Sequence, residues 1–528
     1  KRAKHGSPLC RKRGRLQKCY PPRMFARLTV LLFCAFLLLS GREPPWADAN
    51  IAYQTTQSIV DRHELSISLN APSYFFVERA GKKYGFATLG TALGQVPSYL
   101  TYKALRRLPG LPQAPWFAFA SHLSSALWMA LAIALFARLA QRYGASPRLA
   151  VGLSLLLAFA TLCLVYARSS YGEALQTLLL TWFVDLTLQV SEQPSRRRLL
   201  FTGLCAGLLL NAKLVYGPVI LIGLGCYLLA QHRRGLGPLV RDLLLASLGA
   251  LPGLALLLWH NYVKTGHPLR TGYQSGQLGL FDGNLLAGLH GLLLSPGRGL
   301  FFYAPPLVLS LLGIGHALRT QRRLTWMVLG TVASVAAISA KYPVWHGGYC
   351  FGPRYLVPLI PLVMLLAVPW LSHLWQTQRS RVVLAVALTG TLGAGVAGLG
   401  SALYWDHYCR VLAAVQHQAL SPRWSEDHHA FGYYIPQFSP ISGHLWLLRH
   451  LLGHDPDLHR DAPWKQLLPA QLDLRDEFAR LRIDLWTRDW LYGPHKRYGF
   501  AIYGLLVLGI GLSTWGLSRS LRRESSHQ

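Results

Sequence analysis

The sequence predicts an all-α polytopic membrane protein with about twelve transmembrane helices and a small outer-face domain. Three observations carry this expectation. Of 528 residues, 52% are hydrophobic and only 14% are charged, whereas soluble domains carry about a quarter charged residues. The 16 Trp suit side chains that anchor at a membrane interface. The Arg and Lys behind the net charge of +31 are dealt out in small groups between apolar runs. That is the pattern of topogenic charge rather than of a nucleic-acid footprint. The expected partners are membrane lipids, and no nucleic acid is expected.

Residues 1–23 form a basic, Pro-containing tail around Arg11-Lys12-Arg13, expected in the cytosol. Met24 stands just before the first apolar run, 25–40. That run resembles a signal-peptide core, but no A-x-A-type cleavage site follows it, so it reads as an uncleaved first helix. Further spans are expected near 116–138, 149–166, 172–189, 199–211, 214–230 and 243–262, then near 300–318, 324–340, 353–371, 382–403 and 500–517. Several fall short of the ~20 residues of a perpendicular helix. The two around Lys213 are shortest, and the chain is expected to be broken or re-entrant there. No solenoid repeat and no inverted pair of Gly/Pro-broken spans is visible, which weakens a transporter reading.

Alternate connections differ in kind. One set holds the N-terminal tail, Arg138/Arg142/Arg148, Arg196–Arg198, Arg233/Arg234/Arg241, Arg319/Arg322/Arg323, Arg379/Arg381 and Arg519/Arg522/Arg523. These are short, basic and almost free of acids, hence cytosolic, and both termini fall on that side. The other set comprises 41–115, 167–171, 263–299, 341–352 and 404–498; it is longer and chemically richer. The expected organisation is a transmembrane body 24–403 with a first outer loop 41–115, an outer domain 404–498, and a last helix with a basic tail, 499–528. Cys34, Cys163, Cys205 and Cys226 sit in apolar runs as small core residues. Cys350 and Cys409 both fall in outward segments, which leaves a disulfide between them open.

Polar groups at outward helix ends are the functional candidates, because ionisable residues at membrane depth are costly. Asp48 lies a few residues past the first helix, where a carboxylate can serve at a water-filled surface; Asp is also a favoured helix N-cap. Farther along come Gly81-Lys82-Lys83-Tyr84-Gly85 and Gly94-Gln95. There glycines allow close backbone approach and a Lys can neutralise a phosphate; an interfacial turn with snorkelling lysines reads the same way. Arg168 with Glu173, Lys213, and His346 with Arg354 occupy further outward ends. Cations around a carboxylate suit an anionic lipid-linked substrate and a general base. Asp455-Pro456-Asp457 and Asp427-His428-His429 read equally well as turns, and no metal-ligand set is expected.

With these residues laid out, the chain resembles the GT-C superfamily of polyprenyl-phosphate-sugar-dependent glycosyltransferases, nearest to bacterial relatives of protein O-mannosyltransferases and the lipid A aminoarabinose transferase. The matching pieces are Asp48, Lys83-Tyr84-Gly85 with Gly94-Gln95, Tyr166-Ala167-Arg168 with Glu173, His260-Asn261-Tyr262, Gly266-His267-Pro268-Leu269 and Gly272-Tyr273. Leu294-Ser295-Pro296-Gly297-Arg298-Gly299-Leu300 and Trp345-His346-Gly347-Gly348 with Gly352-Pro353-Arg354-Tyr355 complete them. The resemblance implies a GT-C-like fold in the bacterial inner membrane and inverting transfer of a sugar from a polyprenyl-phosphate carrier to an envelope acceptor. It implies Asp48 as the base that activates the acceptor and Glu173 in positioning. Lys83, Arg168, Lys213 and Arg354 would meet the donor phosphate, with Tyr84, Gln95, Arg298 and His346 completing the substrate set. No cofactor is expected, and a divalent metal stays open. Two positions depart from the pattern: Ala49 follows Asp48 where many relatives have Asp-Glu, and Asn211-Ala212-Lys213 stands where relatives often show a Thr-Arg-Pro-like run. Two other classes remain: a lipid or polysaccharide transporter, and a non-catalytic component of an envelope-assembly complex.

Overall fold

In a computed structural model, residues 22–42, 47–68, 75–107, 113–274, 281–419, 430–455, 461–462, 479–487, 491 and 496–525 are described. Nearly all of the basic tail 1–23 lies outside them, as do Asp427-His428-His429, Pro456, Asp457 and most of 472–490, a stretch that reads as helix-like in the sequence.

In lipid every backbone N–H and C=O must find its partner within its own segment, so the apolar runs fold as helices. The helices are α1 (Pro22–Leu38), α2 (Ala47–Gln57), α3 (Gly90–Leu105), α4 (Gln113–Arg142), α5 (Pro147–Phe159), α6 (Leu162–Ala167) and α7 (Glu173–Glu192). Next come α8 (Arg196–Ala212), α9 (Gly217–Gln231), α10 (Leu236–Thr265), α11 (Leu285–Leu294), α12 (Leu300–Tyr303), α13 (Val308–Thr320) and α14 (Arg322–Lys341). The last are α15 (Ile360–Leu365), α16 (Val368–Thr377), α17 (Arg379–Ala402), α18 (Trp405–Ala419), α19 (Ala430–Tyr434), α20 (Pro440–Gly453) and α21 (Lys496–Ser525). Each of the expected spans is helical. Among the described residues, seven stretches are long and apolar enough to cross a membrane: α4, α9, α10, α14, residues 354–377, α17 and α21. The fold is that of an all-α polytopic membrane protein.

The remaining spans are short or interrupted, for visible local reasons. The run 149–166 breaks at Thr161, whose hydroxyl accepts from the Cys163 amide at 3.2 Å and so starts α6 as a new helix. The chain leaves α8 at Lys213, where the backbone is extended, and re-enters through a single 3₁₀ turn, Leu214–Tyr216, before α9. The break expected around Lys213 is therefore present.

Packing fixes the two ends of the molecule. Arg27 near the start of α1 donates to the Gly516 carbonyl (2.7 Å) and Ser520 Oγ (2.6 Å) near the end of α21. Farther along, Gly509 abuts Cys34. The two helices thus run antiparallel, with the start of one beside the end of the other. α8 and α10 approach backbone to backbone: a Cβ on Gly203 would stand 1.8 Å from the Ala246 oxygen, and one on Gly253 2.5 Å from the Gly207 carbonyl carbon. Small residues four apart permit such close crossing.

The first outer loop holds a three-stranded antiparallel sheet, which an all-α expectation does not include: β1 (Ser66–Ile67), β2 (Phe76–Arg79) and β3 (Lys82–Gly85), in the order β1-β3-β2. β2 and β3 are joined by Ala80-Gly81, both with positive φ, the two-residue turn that matches strand twist. Outside the main core, Leu403, Tyr408, Val411, Leu412, Val415, Phe438, Trp446 and Leu447 form a separate apolar cluster in the segment after α17.

Candidate active site

Asp48 lies in the first turn of α2, immediately beyond the first helix. Its Oδ2 accepts from Arg354 Nη2 at 2.6 Å. The pair is asymmetric: the Asp48 side chain is 32% exposed and the Arg354 side chain 9%. The carboxylate is therefore the member that an incoming molecule can meet. Arg354 opens the 3₁₀ turn Arg354–Leu359, where Pro353 and Pro358 keep the chain out of an α-helix. Its guanidinium is held between two rings, 4.9 Å from the centre of Tyr171 and 5.2 Å from that of Tyr355.

Lys213 joins through the same ring: its Nζ stands 3.9 Å from the centre of Tyr355. The extended backbone at the α8 terminus turns this lysine out of the helix toward that ring. Glu173, in the first turn of α7, is buried, and its carboxylate senses Arg354 and Lys213 on one side and Asp48 on the other. One of its oxygens, Oε2, has no hydrogen-bond partner among the described groups. Four residues from four distant parts of the chain thus form one charged group at the ends of their elements. Two cations at short range from two carboxylates, largely out of water, interact far more strongly than they would at a surface.

The other candidates are placed elsewhere, each for a stated reason. Lys83 is on β3, its ammonium 4.6 Å from the centre of the Phe76 ring, outside the described contacts of the quartet. Tyr84, one position on and so on the opposite face of the strand, packs with Leu65, Leu89 and Ala92. Gln95 donates to the Ser170 carbonyl at 2.9 Å. Arg168 spends its guanidinium on the scaffold: it donates to the carbonyls of Leu39, Ser401 and Asp484 and pairs with the Asp484 carboxylate at 3.4 Å. Arg298 donates to the carbonyls of Cys350 (2.7 Å) and Gly348 (3.0 Å), fixing the turn that leads into Arg354. His346 accepts from the Gly348 amide and stacks on Tyr433 at 4.7 Å. Arg168, Arg298 and His346 therefore build the wall around the charged group. A sequence reader counts their charge but cannot see that backbone carbonyls have already taken it.

Some contributors were given no role from the sequence. Tyr171 and Tyr355 cradle the cations, and Tyr273 and Tyr342 lie within electrostatic range of Asp48. The available signal was adjacency, since Tyr355 directly follows Arg354. Lys264, buried in the last turn of α10, donates to the carbonyls of Phe86 (3.1 Å) and Ala87 (3.2 Å) and ties the first outer loop to that helix. A lysine closing a long apolar run is the visible clue. At the opposite ends of the same helices lie ion pairs of a different kind, Arg142 with Asp185 and Glu192, and Arg234 and Arg241 with Asp242. Among the described residues no group of three or more His, Cys, Asp or Glu is gathered as a metal would need.

No protein-family model matches this sequence, and no curated protein matches it. Solved structures do. A crystal structure of ArnT from Cupriavidus metallidurans bound to undecaprenyl phosphate is similar at 15% identity over 93% of this chain and 77% of its own, with a TM-score of 0.50. The same protein in its apo state gives 16% identity over the same shares and a TM-score of 0.45. The archaeal oligosaccharyltransferase AglB from Archaeoglobus fulgidus, in complex with an inhibitory peptide and a dolichol-phosphate, gives 12% identity over 80% and 60% and a TM-score of 0.45. The first of these likenesses extends along nearly the whole chain and establishes a shared fold, the GT-C-like architecture.

Proposed function

We propose that this protein is a glycosyltransferase that takes a sugar from a polyprenyl-phosphate carrier and passes it, with inversion, to an envelope acceptor on the outer face of the membrane. The observation that carries the reading is the Asp48–Arg354 pair, an accessible carboxylate held 2.6 Å from a buried guanidinium with Lys213 on the same aromatic ring. A fold shared with a protein crystallised on undecaprenyl phosphate adds weight.

In this reading the carrier phosphate approaches Arg354 and Lys213, and its oxygens compete with Asp48 for the guanidinium. Asp48 is thereby released to accept the proton of the acceptor hydroxyl. The acceptor oxygen attacks the anomeric carbon from the side opposite the phosphate. The bond from that carbon to the phosphate oxygen breaks, its electron pair stays on the oxygen, and polyprenyl phosphate departs. Glu173 keeps the two cations together by balancing their charge. Positioned proton transfer of this kind contributes about 10²–10⁴-fold.

The test uses purified protein in liposomes with radiolabelled undecaprenyl-phosphate sugars and fractionated envelope lipids, glycans and proteins as acceptors. We expect label to move into one fraction. Asp48→Asn should lower that rate by about 10²–10⁴-fold while undecaprenyl phosphate still binds. Transfer by Asp48→Asn at the unaltered rate would remove Asp48 as base. A protein that shows no binding of undecaprenyl phosphate would remove the carrier.

A further inference from the structure

Two thiols that take no part in this chemistry lie against each other at the outward end. Cys350 belongs to the turn leading into Arg354: its carbonyl accepts from Arg298, and its sulfur faces the carbonyls of His346 (3.6 Å) and Gly352 (3.5 Å). Cys409 lies in the second turn of α18. Both are buried. The backbone amide of Cys350 faces the Cys409 sulfur, and the Arg298 guanidinium lies within electrostatic range of both sulfurs. Neighbours repeat the approach: the Phe351 ring is 4.9 Å from His444, and His444 is 6.2 Å from Tyr408. The residue after Cys350 and the residue before Cys409 therefore meet over one imidazole. A disulfide needs direct facing of two side chains rather than mere vicinity, and these contacts bring one sulfur to the backbone of the other cysteine.

We propose that Cys350 and Cys409 are joined by a disulfide in the native protein, a covalent clamp between the turn that delivers Arg354 and the outer helix α18. The inference rests on the outward placement of this end, since disulfides persist outside the cytosol and are reduced within it. The two thiols give up two protons and two electrons as the sulfur–sulfur bond forms. The acceptor is the disulfide of an envelope thiol–disulfide exchange protein, which leaves as the dithiol. The thiolate is the attacking species.

The full-length protein is trapped with N-ethylmaleimide as cells are opened, denatured, digested without reduction and analysed by mass spectrometry. The expected product joins the peptides carrying Cys350 and Cys409 and disappears on reduction. Cys34, Cys163, Cys205 and Cys226 carry the maleimide label and act as internal references. Recovery of Cys350 and Cys409 both labelled, without reduction, overturns the proposal. Mild oxidation of the purified, folded protein then locates the failure. A link formed only in vitro puts the fault in the outward placement, and none formed puts it in the side-chain geometry. Neither outcome depends on sugar transfer, so the glycosyltransferase reading stands or falls separately.

Discussion

At the scale of single residues, the ring of Tyr355 has an unusual task. Two cations, Arg354 at 5.2 Å and Lys213 at 3.9 Å, lie against it. A cation over an aromatic face gains about 0.5–2 kcal/mol, most when water is excluded. Tyr355→Phe keeps the face and should bind undecaprenyl phosphate as the unaltered protein does. Tyr355→Leu removes it and should weaken that binding by about tenfold; equal affinities for the two variants, measured by displacement of labelled carrier, would show that the ring is only filler. Arg168 makes the opposite case. Truncation to Ala takes the guanidinium from the carbonyls of Leu39, Ser401 and Asp484 and leaves the Asp484 carboxylate with the Arg42 amide but no charged partner, a loss of about 3–5 kcal/mol in such settings. The expected result is a fall in thermal stability in detergent with carrier affinity unchanged in the folded fraction. Weaker carrier binding at unchanged stability would return Arg168 to the site. The sequence made the charges at 48, 173, 213 and 354 legible because charge is rare in these runs. It could not reveal which other charges are already consumed by main-chain carbonyls, since that depends on loops hundreds of positions away.

At the scale of elements, the α8–α10 crossing sets where Lys213 emerges. Gly203 and Gly207 on one helix meet Ala246, Ala250 and Gly253 on the other, and Asn211 donates to the Gly253 carbonyl at 2.6 Å. Bulk there must push two backbones apart, since no flexible side chain can yield. Gly253→Val should therefore cost at least about 1–3 kcal/mol and lower the yield of monodisperse protein in gel filtration, and Gly203→Val should do the same. Normal yield and melting for both would mean that the helices separate at no cost. The spacing of these glycines is plain in the sequence; that they face each other is not, because neither helix announces its partner. The β2–β3 hairpin was also hard to read. Its strands are four residues each, and its turn uses Ala80 in a conformation more usual for glycine or asparagine.

For the whole molecule, polarity is the organising fact. Asp48, Glu173, Lys213 and Arg354 share one end, whereas the Asp185 and Asp242 ion pairs lie at the opposite ends of α7 and α10. The alternation of basic connections predicts that the Asp185 and Asp242 end faces the cytosol, because topogenic charge is written locally in the chain. The antiparallel pairing of α1 and α21 puts the start of one beside the end of the other. Green fluorescent protein fused at either terminus should accordingly give the same signal, and both fusions should fluoresce if the basic tails face the cytosol as the sequence predicts. One bright and one dark fusion would separate the two ends and break the pairing.

The segment around Trp486 sets a timetable for this polarity. Trp486 donates its indole N–H to the Leu37 carbonyl at 2.6 Å and its amide to Ser40, while the Asp484 amide donates to Ala402 and its oxygens meet Arg168. All four residues of the quartet are synthesised before this segment. Until residues 484–486 are made, the first helix, the end of α17 and Arg168 lack these partners. Those bonds therefore form only once residues 484–486 are in place, so a product truncated before Asp484 keeps its four charges but loses the tie between α1, α17 and Arg168.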